Sequence, residues 1–321
     1  MLAPMDSRAP VPADTVGILR PLPGWAVLRG SPVSEADTAF AAGIALKSLD
    51  DLVHSAPAWA GCWRARQALE CAVAAARISG RSVAPAELLD AVLLTATGDD
   101  PGPAGRIFGA FRNLANRRGG LTTPFLADLT ELMGFFWDES LALLVDQVDA
   151  ALQSGRAPPF AAAELISEIC TTRPDAEILA FALADWLIAQ KLSWDSCVPL
   201  LMSQRYGASF RTPGGRGRLR PGDAGFPAAV CQALVEATRT ALRSAGDIAR
   251  RADRLSEVAP KIRTKGVDVV YQQLLDETAV AGTAPGTGLS RWASTRLFDR
   301  LESFGAVREL SGRPTFRIYG L

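Results

Sequence analysis

Four prolines stand just inside stretches whose apolar residues return every three or four positions: Pro85, Pro124, Pro174 and Pro227. Proline's fixed φ and missing N–H suit the first turn of an α-helix and no later turn. Each one therefore marks a predicted helix start. No stretch of alternating Val, Ile and Thr occurs before the last 20 residues, so a central sheet is not expected. The predicted fold class is all-α, a multi-helix body followed by a C-terminal winged helix-turn-helix-like unit that carries one short β-hairpin.

The first 33 residues hold six of the 21 prolines (Pro4, Pro10, Pro12, Pro21, Pro23, Pro32) and read as an extended lead-in that Trp25 pins to the body. Ser34 followed by Asp37 resembles a weak capping box, and Phe40, Ile44, Leu52 and Val53 fit one face of the helix it would open. Residues 57–79 are Ala-rich, with Trp59 and Trp63 one turn apart and Gly80 placed to stop the helix. Residues 205–225, rich in Gly, Pro and Arg, read as a long loop. A long helix then runs from Pro227 to about Val258 on a narrow stripe of Leu234, Ala237, Ala241, Ala245, Ile248, Ala252 and Leu255. Its other faces carry Arg239, Arg243, Arg250, Arg251 and Arg254, available to a nucleic acid, to an acidic part of the same chain, or to solvent. The predicted division is a lead-in (1–33), a helical body (34–260) and a C-terminal unit (261–321).

Hydrophobic residues make up 48% of the 321, enough to bury a sizeable core, yet no apolar run reaches the roughly 18 residues of a bilayer span. The opening MLAPMDSRAPVP lacks the charge-then-apolar layout of a secretion signal, so a cytoplasmic protein with no membrane association is expected. Five scattered cysteines with no C-x-x-C pair argue against a zinc site and a disulfide framework, and predict reduced, mostly buried thiols. The zero net charge hides an asymmetry: residues 1–204 carry 15 Lys and Arg against 23 Asp and Glu, whereas residues 205–321 carry 19 against 11. An anionic partner for the C-terminal part would explain this, and so would pairing between the two parts.

In that C-terminal part, Val267, Val270, Tyr271, Leu274 and Leu275 share one helical face, and a Gly/Pro-interrupted connection follows. A second helix is expected to bury Ala293, Leu297, Leu301 and Phe304 and to stop at Gly305. The tail alternates apolar and polar residues on either side of Ser311-Gly312-Arg313-Pro314, the pattern of a hairpin. Helix, connection, helix and hairpin follow the order of a winged helix-turn-helix, whose second helix enters the major groove while the wing reaches the backbone. Stepping around Leu297 puts Arg291, Trp292, Thr295, Arg296, Asp299, Glu302 and Ser303 outward. Arg291, Trp292, Thr295 and Arg296 are the candidate DNA contacts of the helix, and Arg313 and Arg317 those of the wing.

The segments FAAGIALKSLDDLVHSAPAWAGCWRARQAL, GDDPGPAGR, PFAAAELI, RPDAEILAFALADWL, VAPKIRTKG and RLFDRLESFGAVRELSGRPTFRIYGL together resemble the bacterial family known as domain of unknown function 1403. The resemblance implies no activity. The closing motif is also similar to the winged-helix tail of certain bacterial proteins of the Fic type. Active members of that type carry an H-P-F-x-x-G-N-G-R loop that is absent here, so the likeness implies a DNA-binding-like tail without adenylylation.

With His54 as the one histidine, no Ser-His-Asp set and no His-based metal cluster can be assembled. Asp99, Asp100 and Arg106, in GDDPGPAGR, form a possible ligand turn, since paired carboxylates beside an arginine can hold a cation or a phosphate; the same residues suit a rigid turn that starts a helix. The run GGRGRLR at 214–220 lacks the Gly-Lys-Ser/Thr of a P-loop. No cofactor is expected. The expected function is non-enzymatic, DNA-associated or regulatory, with double-stranded DNA as partner. An interaction module that binds another protein or a second copy of itself stays open, as does a degenerate relative of a Fic-type enzyme.

Overall fold

Ser34 opens the first helix as expected, its Oγ accepting the Asp37 N–H at 3.1 Å. The computed structural model describes residues 20–27, 34–96, 98–212, 214–313 and 315–321, so most of the predicted lead-in lies outside the described residues. Within α1 (Glu35–Ser55) the buried face is Ala41, Ala45, Leu46, Leu49 and Leu52. The expected Phe40 and Ile44 stripe is corrected: Phe40 is 66% exposed and lies beside Trp25, with ring centroids 6.3 Å apart and planes 34° apart. Alanines face the core here because α1 lies along another alanine-striped helix, and close helix approach leaves no room for a phenyl ring.

α2 (Ala60–Ile78) ends at Gly80, whose φ of 75° is the left-handed cap that a glycine adopts without strain. Then follow α3 (Pro85–Leu93), α4 (Gly102–Asn116), α5 (Thr123–Leu132), α6 (Glu139–Ala142), α7 (Leu144–Gln153) and α8 (Pro158–Thr172). Pro85 and Pro124 sit in the first turns of α3 and α5, and prolines also open α4 and α8. Pro174 begins a short 3-10 turn that runs into α9 (Glu177–Lys191). Every residue of α9 from 178 to 189 is buried, which makes it the central helix of the body.

The 205–225 segment is a loop, and arginine pins it down. Arg218 donates to the carbonyls of Arg205 and Gly207 at 3.2 Å and of Tyr206 at 2.8 Å. Arg77 and Arg218 both stack on the Tyr206 ring, at 4.2 and 5.0 Å. Pro227 lies in the first turn of α10 (Phe226–Val258), whose predicted stripe is buried throughout and packs along α1.

Beyond α10 come α11 (Val267–Asp276), β1 (Val280–Ala281), α12 (Arg291–Ser303), β2 (Arg308–Glu309) and β3 (Ile318–Gly320). The strands form one antiparallel sheet in the order β1-β3-β2, with Val280 opposite Tyr319 and Arg308 opposite Gly320. β2 and β3 are the expected hairpin, although Pro314 lies outside the described residues. β1 falls in the segment expected to be only a connection; two residues are too few to show a period of their own.

This C-terminal part is stitched to α2, α3 and α4. Buried Arg66 of α2 donates to the main-chain oxygens of Thr278 (3.2 Å) and Leu321 (3.0 Å), and Arg112 of α4 meets Glu277 at 3.0 Å. Arg313 pairs with Asp90 of α3.

Candidate nucleic-acid interface

α12 starts where Ser290 accepts the Ala293 N–H at 3.3 Å, and it ends at Gly305, which has a φ of 66°. Its buried face is Ser294, Leu297, Phe298 and Leu301. Phe298 stacks flat on Tyr319 of β3, with centroids 4.4 Å and planes 5° apart, and this contact locks the helix to the sheet. The expectation that Phe304 is buried is corrected: it is 46% exposed, because the chain turns away at Gly305 and Phe298 already fills the core position.

The residues predicted to point outward do so: Arg291, Trp292, Thr295, Arg296, Asp299, Glu302 and Ser303 are all exposed. Trp292 is 74% exposed, and the Arg296 guanidinium lies 5.4 Å from its ring centroid. The Thr295 hydroxyl is turned back onto the Arg291 carbonyl at 2.9 Å. Arg300, which the sequence reading did not single out, joins this exposed row and stacks on Phe304 at 6.0 Å.

Arg313 and Arg317, the arginines expected on the hairpin, have different partners. Arg313 is held by Asp90, and Arg317 donates to Asp299 and to the Tyr319 hydroxyl, each at 3.3 Å. The Tyr319 hydrogen bond and charge, with Asp299 behind them, raise Arg317 above the usual guanidinium range. The Asp299 charge on the exposed row of α12 is thereby paired. Arg291 and Arg296 make no ion pair among the described residues.

Pairing between the acidic and basic parts of the chain uses few cations. Arg205 with Glu177 and Arg313 with Asp90 cross the boundary in the sense the charge asymmetry asks for, and Arg112 with Glu277 crosses in the opposite sense. Other C-terminal arginines pair locally, Arg239 with Glu236 and Arg250 with Asp247.

Elsewhere, Asp99, Asp100 and Arg106 lie at the turn that opens α4. Asp100 accepts the Gly102 N–H at 2.9 Å, and Arg106 Nε stands 3.7 Å from the same carboxylate oxygen. His54 sits in the last turn of α1 at the edge of a cleft of about 540 Å³ shared with Lys47, Asp50, Lys191 and Ser193. Its Nδ1 lies 3.1 Å from an Asp50 oxygen that also accepts the Trp194 indole N–H at 2.8 Å. Lys191 spends its ammonium on the Leu152 and Ser154 carbonyls at the end of α7. Among the described residues no group of three or more His, Cys, Asp or Glu is placed to hold a metal ion, and no helix is long and apolar enough to cross a membrane.

The family described as "Protein of unknown function (DUF1403)" matches residues 13–321 of this chain. No curated protein matches it.

Proposed function

The chain belongs to the DUF1403 family of proteins of unknown function, and from its C-terminal unit we propose that it is a non-enzymatic, DNA-associated regulatory protein in which α12 is the recognition helix. The observation that carries this reading is the division of α12: Leu297, Phe298 and Leu301 anchor one face, while Arg291, Trp292 and Arg296 stand outward without a carboxylate partner among the described residues. The topology supports it. Helix α11, strand β1, helix α12 and a hairpin whose second strand takes the central place fit a winged helix in which the helix before α12 has shrunk to turns at 284–287.

The test is a titration with mixed-sequence duplex DNA at several salt concentrations. Binding is expected to weaken steeply with salt, and replacing Arg291 and Arg296 by alanine to flatten the slope by about two in log K against log salt, close to one per phosphate contact. Arg313→Ala is expected to leave the slope unchanged, because Asp90 already holds that guanidinium; at a half-exposed pair it costs at most about 1 kcal/mol of stability. Absence of binding at low salt would sink the reading.

A second reading has its own observation. Trp292, Phe304 and Phe316 are all large exposed apolar side chains on the same unit, 74%, 46% and 67% exposed, and exposed tryptophan is a frequent anchor of protein interfaces. If duplex does not bind, concentration-dependent self-association that Trp292→Ala abolishes would identify a dimerisation module.

A further inference from the structure

Asp247, Arg250, Arg251 and Arg254 stand at i, i+3, i+4 and i+7 of α10, and so share one face of the helix. The Asp247 carboxylate is taken by Arg250, and the Asp247 carbonyl accepts from Arg251 Nη1 at 3.1 Å. Arg254 reaches the C-terminal end of α12, its Nη1 2.9 Å from where a Cβ on Gly305 would lie. β2 presents Arg308, exposed and opposite Gly320, three residues beyond the Gly305 that Arg254 reaches. Gly320 itself lies against the guanidinium of Arg66. Two segments distant in sequence, α10 and the stretch from Gly305 to β2, thus share a patch in which Arg250, Arg251, Arg254 and Arg308 stand against Asp247 and Glu257, a net charge of +2. Arg251, Arg254 and Arg308 have no carboxylate within 4 Å among the described residues.

Such a cluster cannot relieve itself by losing protons. Guanidinium groups stay charged at any physiological pH, so the remedy open to them is an anion. Desolvation, followed by the charges of Arg308, Arg250 and Arg254 acting against Asp247, holds Arg251 below its ordinary range. Arg308 is held down in the same way, by desolvation and then by Arg66, with Asp247 opposing. The forked N–H donors of arginine match phosphate oxygens two at a time, and a phosphate offers more acceptors and more charge than a carboxylate.

We propose that Arg251 and Arg254 of α10 with Arg308 of β2 form a binding site for a phosphate group. It is separate from the outward face of α12, since it lies at the C-terminal end of that helix, whereas Arg291 begins it roughly 18 Å away at 1.5 Å per residue. The proposal does not depend on α12 binding DNA. The phosphate can be free, as inorganic phosphate or a small phosphorylated molecule, or belong to a nucleic-acid backbone.

The full-length protein is titrated calorimetrically with inorganic phosphate and, separately, with duplex DNA, alongside Arg251→Gln, Arg308→Gln and Arg291→Gln. Thermal unfolding is followed in chloride and in low-millimolar phosphate at matched ionic strength. Saturable phosphate binding that Arg251→Gln and Arg308→Gln reduce at least tenfold, and Arg291→Gln leaves intact, supports a site for free phosphate. Each of the first two variants should then unfold at the same or a higher temperature than the parent in chloride, because it removes repulsion. If phosphate does not bind but those two variants each lower the DNA salt slope by about one, the site serves the backbone instead. The proposal is overturned if the parent protein shows neither response, or if both variants keep the parent's affinities. The DNA reading of α12 fails by a different mark, an unchanged salt slope in Arg291→Gln, so the two can be told apart, and the parent protein's own response to phosphate still tests the site where a variant does not fold.

Discussion

Asp185 is a carboxylate in the middle of α9, the helix with least access to water. It accepts the N–H of Leu200 at 2.8 Å and of Leu201 at 3.1 Å, and so holds the chain where it leaves the body's central helix. Burial pushes its pKa from 3.8 up to about 7, against the pull of those two donors. The folded protein therefore holds this proton more tightly than the unfolded chain does. The resulting stabilisation is complete below about pH 4 and is lost as pH rises through about 7. Asp185→Asn keeps an oxygen for the Leu200 N–H and removes the titration. Thermal unfolding across pH 4.5 to 8 should show a decline in the parent that the variant lacks, about 2–4 kcal/mol at most. Parallel pH profiles would show that Asp185 does not titrate in this range.

Between elements, Gly61 of α2 lies directly against the end of α11. A Cβ at this position would stand 2.9 Å from Asp276 Cα and 3.1 Å from its carbonyl oxygen, both backbone atoms that cannot swing aside. Alanine normally favours a helix interior over glycine by about 1 kcal/mol. Here the clash decides the sign, and Gly61→Ala is expected to lower the unfolding temperature by several degrees and to push away the end of α11, next to the Glu277 that Arg112 of α4 holds. A gain in stability would mean that α11 can slide away from α2 at little cost. Elements whose signals are local were legible in the sequence: the proline starts, the Gly80 and Gly305 stops, and the outward row of α12. Phe304 was misplaced because helical periodicity cannot choose between two phenylalanines near the end of a helix. The Tyr319 ring, in a strand formed further along the chain, made that choice for Phe298.

Across the whole molecule, the scattered cysteines line the core. Cys62, Cys71, Cys197 and Cys231 are buried and Cys170 is half-buried. Desolvation pushes every one of these thiols up, Cys62 to about 11 and Cys170 and Cys231 to about 12. A thiol-specific disulfide reagent at pH 8 should leave the folded protein nearly unreacted, with Cys170 slowly first and all five modified at once in denaturant. Fast stoichiometric reaction of Cys71 or Cys197 in the native protein would contradict the packing of α2 against the 194–204 segment.

The residue pattern alone determined the helical class, several helix starts and stops, the hairpin and the outward residues of α12, because helix and turn preferences act within a few residues of one another. Tertiary structure decided how the cations are spent. Arg313 was legible as a residue of the hairpin turn, but its partner Asp90 lies 223 residues away, and Arg317 meets Asp299 only because the strand after it lies beside α12. The charge asymmetry was visible in the composition, yet that the charge of Arg308 on β2 would bear on Arg251 of α10 was not. Distance between charges depends on which elements pack together, and a linear sequence does not contain that distance.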